Sequence, residues 1–200
     1  MVRKLGSLLG DEADVARRKQ LAAAAFTSMF NLWKRRSAVS ERLRLRLYSA
    51  FVLPVLTYNC GTWGLTQSAL QKLDAFHRRQ LRPLLGIKWP QRISNEALYR
   101  RCQMEEISIF VRRARWRLFG HILRLPPSTP AVLAMEIFFA NNSTRWLGRP
   151  RVTLPSVLHQ DLQKAGQGRL LTLGDLHSLR ATAACRKSWK ALCEAICSSY

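Results

Sequence analysis

Asp11, Glu12 and Asp14 form the densest carboxylate cluster in the sequence, and Glu105-Glu106 is a second acidic group. Two-metal phosphoryl chemistry needs clustered carboxylates on a rigid element, because only they balance the charge of the ions. Neither group sits in the strand–turn–strand context that would hold such a centre. Acids opening a helical stretch complement the helix dipole, which is the better account of residues 11–14. No glycine-rich phosphate loop ending in Lys-Ser or Lys-Thr occurs, and no serine nucleophile elbow. The sequence therefore predicts no catalytic residue, no metal and no cofactor.

The cysteines stand at 60, 102, 185, 193 and 197, and the histidines at 77, 121, 159 and 177. Cys193 and Cys197 are four apart on an expected helix, but no second ligand pair follows, so core cysteines are favoured over zinc. An odd number without framework spacing suits a reducing compartment. No stretch has the ~18 apolar residues of a membrane span, and the first ten residues lack a signal peptide's apolar core. The expected location is intracellular, nuclear or cytoplasmic, and not secreted.

Charge is the dominant feature. Lys and Arg number 33 against 12 Asp and Glu in 200 residues, a formal +21. Such an excess repels itself in a compact chain and usually meets a polyanion. Residues 1–125 hold 24 of the bases and 8 of the acids, so this part is the expected polyanion surface. Arginine dominates, which favours bidentate phosphate contact. Trp33, Trp89 and Trp116 adjoin basic stretches, where indoles either stack on bases or anchor the core. Gly148-Arg149-Pro150 has the form of a minor-groove hook, although a structural loop is the plainer reading.

The elements that must position these residues are helices. Residues 11–36 run from the acids to Lys34-Arg35-Arg36. Residues 40–53 open on Ser40, with Leu43, Leu47, Ala50 and Phe51 expected on the buried face and Pro54 near the end. Residues 58–66 form a glycine-rich connector. Ser68 with Gln71 reads as a capping box for a helix whose stripe is Leu70, Leu73, Phe76, Leu81 and Leu84, with His77, Arg78, Arg79 and Arg82 off it. Ser94 caps a short helix. Residues 107–125 form the most basic helix, with Val111, Ala114, Leu118, Ile122 and Leu125 on one face. Arg112, Arg113, Arg117 and Arg124 mostly share another, and Arg115 lies nearer the apolar side. Pro126, Pro127 and Pro130 mark an expected seam. Helices follow over 131–140, 157–164 and 179–196, the last organised by Cys185, Trp189, Leu192 and Ile196.

The order of motifs carries a resemblance. Lys4-Leu5-Gly6-Ser7-Leu8 is followed by Arg44-Leu45-Arg46-Leu47-Tyr48, then Leu53-Pro54-Val55-Leu56-Thr57-Tyr58. Next come Gly61-Thr62-Trp63-Gly64-Leu65-Thr66, Leu73-Asp74-Ala75-Phe76-His77-Arg78-Arg79-Gln80-Leu81-Arg82 and Leu85-Gly86-Ile87-Lys88-Trp89. Ile93-Ser94-Asn95-Glu96-Ala97-Leu98, Arg117-Leu118-Phe119-Gly120-His121-Ile122-Leu123-Arg124 and Gly148-Arg149-Pro150-Arg151 complete the set. In this order the chain resembles the C-terminal part of non-LTR (LINE-like) retrotransposon reverse transcriptases.

The resemblance implies a mainly α fold: a helical thumb-like bundle, then a smaller helical region, after a short β turn. Residues 1–10 would be the remnant of the palm's primer-grip turn, 11–125 the basic thumb-like domain and 126–200 the C-terminal region. The palm, with the family's catalytic aspartates, and the endonuclease domain are expected to lie outside this chain, so no catalytic residue carries over. The implied role is to hold RNA or an RNA–DNA duplex without polymerising, DNA being the alternative partner, with the palm as a packing partner and no membrane. The expected contacts are Arg78, Arg79, Arg82, Arg112, Arg113, Arg117, Arg124, Arg149 and Arg151. Two other readings stay open: an element remnant without independent function, and a repurposed DNA-binding module using residues 148–151.

Overall fold

In the computed structural model, residues 3–4, 6–8, 10–35, 37–140 and 152–199 are described. The chain is mainly α, as the periodicity requires. Strands β1 (Arg3–Lys4) and β2 (Ser7–Leu8) pair antiparallel, Arg3 with Leu8 and Lys4 with Ser7. Gly6 turns between them at φ +83°, a left-handed value that side chains resist. Helices α1 (Asp11–Ser28) and α2 (Phe30–Lys34) follow, then α3 (Glu41–Leu47), which runs through a π turn (Tyr48–Val52) into α4 (Leu53–Leu56). After a 3-10 turn (Cys60–Thr62) come α5 (Gln67–Leu85), α6 (Asn95–Cys102), α7 (Ile107–Leu123) and α8 (Pro130–Ala140). The last three are α9 (Leu154–Lys164), α10 (Leu173–Ala184) and α11 (Arg186–Ser198). No helix among the described residues is long and apolar enough to cross a membrane.

The chain divides into two compact units. The first is Met1–Cys60 with Gln67–Phe110; the second is Gly61–Thr66 with Val111–Tyr200. The division falls inside α7, and not at the prolines 126–130, whose flanking helical segments both belong to the second unit.

In the first unit α1 packs on α2, the π turn, α4 and α5, and α5 packs also on α2, α3 and α6. The acids 11–14 form the first turn of α1. Asp14 turns inward, accepts a hydrogen bond from Leu8 N at 2.9 Å and pairs with Arg18, whose guanidinium also donates to Gly6 O at 2.6 Å. This ties the hairpin to α1. Ser40 caps α3 by accepting from Leu43 N, and Ser94 caps α6 by accepting from Ala97 N. Ser68 does not cap α5, which already begins at Gln67.

The buried face of α3 and the π turn is Arg44, Tyr48 and Val52, while Leu43, Ala50 and Phe51 are exposed. The reason is specific pairing: Tyr48 stacks on His77 and donates its hydroxyl to Gln80 Oε1 at 2.8 Å. His77 is thus inside the core, not off the stripe of α5. Burial, and then the charge of Arg78, holds its pKa down at about 4. Asp74 is buried one turn earlier and accepts from Ser108 N at 3.0 Å, closing the start of α7.

In the second unit Trp116, Phe119 and Leu123 of α7 meet Phe139, Leu158, Leu162, Leu176, Trp189 and Ile196 in one apolar cluster. The buried face of α7 is rotated from the expected one: Ala114, Leu118 and Ile122 are only partly buried. Gly61 comes close to this face: a Cβ there would sit 3.1 Å from Ala114 O, a closer approach than a side chain tolerates comfortably. The single helix expected over 179–196 is two. Cys185 is extended (φ −91°, ψ 110°) and exposed, so the chain turns there between α10 and α11.

Candidate nucleic-acid interface

The expected contact residues separate by unit. Arg78, Arg79 and Arg82 stand on α5 of the first unit. Arg79 is exposed and the other two are half-buried. Arg82 Nη2 donates to Asn95 Oδ1 at 2.8 Å. Burial pushes the Tyr99 hydroxyl up to about 12, and the charge of Arg78 opposes that rise. Arg82 is therefore oriented by α6, and Arg79 is the most open of the three.

Arg112, Arg113, Arg117 and Arg124 belong to the second unit. Arg112 is not a surface residue. It is 2% exposed, and its Nε lies 3.3 Å from Asp161 Oδ1. Arg115 Nη1 and Trp116 Nε1 approach Asp161 Oδ2 at 3.0 and 3.1 Å. A buried carboxylate on α9 thus draws in two arginines, because a buried charge must be paired and hydrogen-bonded. Arg112 is removed from any nucleic-acid surface by this pairing. Trp33 and Trp116 are likewise core residues, whereas Trp89 is open to solvent. Arg149 and Arg151, with the rest of the expected hook, lie outside the described residues.

What the structure does bring together is a groove between α7 and α11. Arg113, Arg117 and Arg124 line one wall; Arg186, Trp189, Lys190, Cys193 and Glu194 form the other, around about 340 Å³. Arg113 and Arg117 are one turn apart, and Arg124 continues that face just past the end of α7. Arg186 and Lys190 are also one turn apart, so both rows run along their helices. Five cations face a single carboxylate, Glu194, which pairs with Lys190 at 3.7 Å on the exposed side. Arg124 Nη1 donates to Ala183 O at 3.2 Å, which fixes one end of the row.

Gly120 sets the spacing of the two helices at this point. A Cβ on it would collide with the Trp189 indole, whose Nε1 donates to Trp116 O at 3.1 Å. Cys193 lies in the groove floor. Burial raises its thiol to about 11, against the opposing charges of Arg117 and Arg124. A concave surface with one sign of charge over a low-dielectric floor concentrates field, and therefore counter-ions such as phosphate.

Arg186 and Lys190 were missed by sequence reasoning. The usable signal was their spacing, which puts both cations on the edge of the Trp189–Cys193 stripe. Among the described residues, no group of three or more His, Cys, Asp or Glu is placed to hold a metal ion.

No family model matches the chain, and no solved structure matches it. It is similar to an uncharacterised transposon-derived protein of Caenorhabditis elegans, at 24% identity over 164 residues. The match takes in 80% of this chain and 58% of that relative, so the chain spans less than two thirds of the relative's length.

Proposed function

We propose that this chain is the thumb and following region of a non-LTR retrotransposon reverse transcriptase, and that it holds RNA or an RNA–DNA template–primer duplex by its backbone. The observation that carries the reading is the α7–α11 groove, where five cations face one carboxylate. Arginine and lysine rows spaced by helical turns match a run of phosphates and read no base edge, so the binding is tolerant of sequence. The ordered motifs and the transposon-derived relative support the origin. In this reading these residues contribute grip, and polymerisation belongs to the palm of such an enzyme.

The test is a titration of labelled RNA–DNA hybrid, RNA duplex and DNA duplex with the purified chain. Binding should depend little on sequence and fall steeply with salt. Primed template with nucleotides and Mg²⁺ should not be extended. Sequence-selective binding to DNA duplex alone would replace the grip with a repurposed DNA-binding module. The exposed Leu133, Ile137 and Phe138 of α8 favour a second reading, an element remnant that self-associates without function. Absence of both a cooperative melt and duplex binding would select it.

A further inference from the structure

We propose that Trp89, at the tip of the turn between α5 and α6, is a stacking platform for an unpaired base of RNA or DNA. The proposal rests on the nucleic-acid reading above, but on different residues from the α7–α11 groove. Trp33, Trp63, Trp116 and Trp189 are each 4% exposed or less, whereas Trp89 is 86% exposed. An indole is the largest apolar side chain, and leaving its faces in water is unfavourable unless something covers them. Among the described residues, none makes a hydrogen bond or a ring contact with it.

The turn presents the ring and does not leave it trailing. Ile87 N donates to Arg82 O at 2.9 Å and Gly86 N to Pro83 O at 3.0 Å, which closes the end of α5. The Ile87 side chain is buried, and Gln91 N donates to Lys88 O at 2.8 Å across the tip. Ser94 then caps α6. Both ends of the turn are fixed, so Trp89 stands out from a supported loop.

The surroundings select the occupant. Lys88, Gln91 and Arg92, which flank Trp89 in sequence, are exposed. Between Asp74 and Glu96 the sequence has five cations and no carboxylate. An exposed π face in a stretch of chain whose charges are all cationic matches a base with its flanking phosphates. A membrane surface would need several apolar side chains inserted together, and here the neighbouring Pro90, Gln91 and Arg92 offer no second large one. Bases inside a duplex are already stacked and show the ring no free face. The platform is therefore specific for an overhang, a junction or a single strand, such as the unpaired template beyond a primer.

The experiment follows tryptophan emission while a 12-nucleotide oligo-uridine or oligo-thymidine is added to the whole chain carrying Trp146→Phe. That replacement removes the indole whose surroundings are not described. The single strand should quench the emission, and Trp89→Ala should abolish the quenching and weaken single-strand affinity about tenfold or more. Trp89→Phe should restore part of the affinity. Duplex affinity and melting temperature should not change, because the side chain is 86% exposed. Unchanged single-strand affinity in Trp89→Ala would overturn the platform while leaving the duplex reading intact. Loss of duplex binding by the unsubstituted chain would remove both. Quenching by phosphatidylserine vesicles but not by oligonucleotide would also overturn it, in favour of a membrane surface.

Discussion

Arg115 Nη1 of α7 lies 3.0 Å from Asp161 Oδ2 of α9, with both side chains buried. Arg112 shares the same carboxylate through Oδ1. The second unit therefore carries two buried guanidinium groups that depend on Asp161 for neutralisation. Asp161→Ala should cost about 3–5 kcal/mol, the range for stripping one partner from a buried pair. Replacing Arg112, Arg115 and Asp161 together with Met, Met and Leu should recover much of that loss, since no charge is then stranded. Urea melts of the single and triple variants test both. A loss below about 1 kcal/mol in Asp161→Ala would contradict the pairing.

Arg112→Gln follows from the same geometry. A surface contact would lose affinity and keep its stability. Arg112 is inside, so the variant should melt at lower temperature, while its remaining folded fraction binds duplex with an unchanged salt dependence. A binding titration well below the melting point separates the two outcomes.

His77 gives the fold a pH dependence. Its imidazole lies between the Tyr48 and Tyr99 rings, neither nitrogen has a hydrogen-bond partner among the described residues, and burial holds its pKa at about 4 in the folded state. The unfolded value is near 6.5. Above that pH both states are neutral and His77 contributes no slope. Between pH 6.5 and 4 the unfolded chain takes up a proton that the folded chain refuses, so stability falls on acidification. The loss reaches about 3 kcal/mol near pH 4. His77→Phe keeps the ring stack and should remove this component. Denaturant melts of both proteins at pH 7.5, 5.5 and 4.5 should therefore diverge progressively; a constant difference would contradict the assignment.

Gly120→Ala should destabilise the second unit by about 1–3 kcal/mol, because the added methyl meets the Trp189 indole and forces α7 from α11. The same separation widens the groove, so duplex affinity should fall as well. Thermal melts and binding titrations measure the two effects.

Much of the architecture was legible from local rules. The caps at Ser40 and Ser94, the acidic start of α1 and the glycine-rich connector all depend on neighbours in sequence. Their chemistry is complete within a few residues. The faces of α3 and α7 were not legible. Hydropathy patterning places arginine outside, and nothing near Arg112 or Arg115 indicates a carboxylate on α9. Likewise the register of Tyr48 depends on Gln80 and His77, far along the chain. The break at Cys185 carries no proline or glycine to announce it. Arg186 and Lys190 became part of the candidate site only through the packing of α11 on α7, and Gly120 permits that packing.

The central claim is that the α7–α11 groove binds phosphates of an RNA–DNA duplex. Its most direct test is the salt dependence of binding in the unsubstituted chain and in Arg117→Gln/Arg124→Gln/Arg186→Gln/Lys190→Gln. With about six phosphates neutralised, affinity of the unsubstituted chain should fall roughly 10³-fold between 50 and 200 mM salt. The four substitutions should weaken binding to every sequence alike. They should also flatten the slope of log affinity against log salt by about one unit per lost contact. All four side chains are exposed and none belongs to the apolar cluster of the second unit, so circular dichroism should be unchanged. An unaltered slope and affinity in the folded quadruple variant would show that this groove is not where the duplex is held.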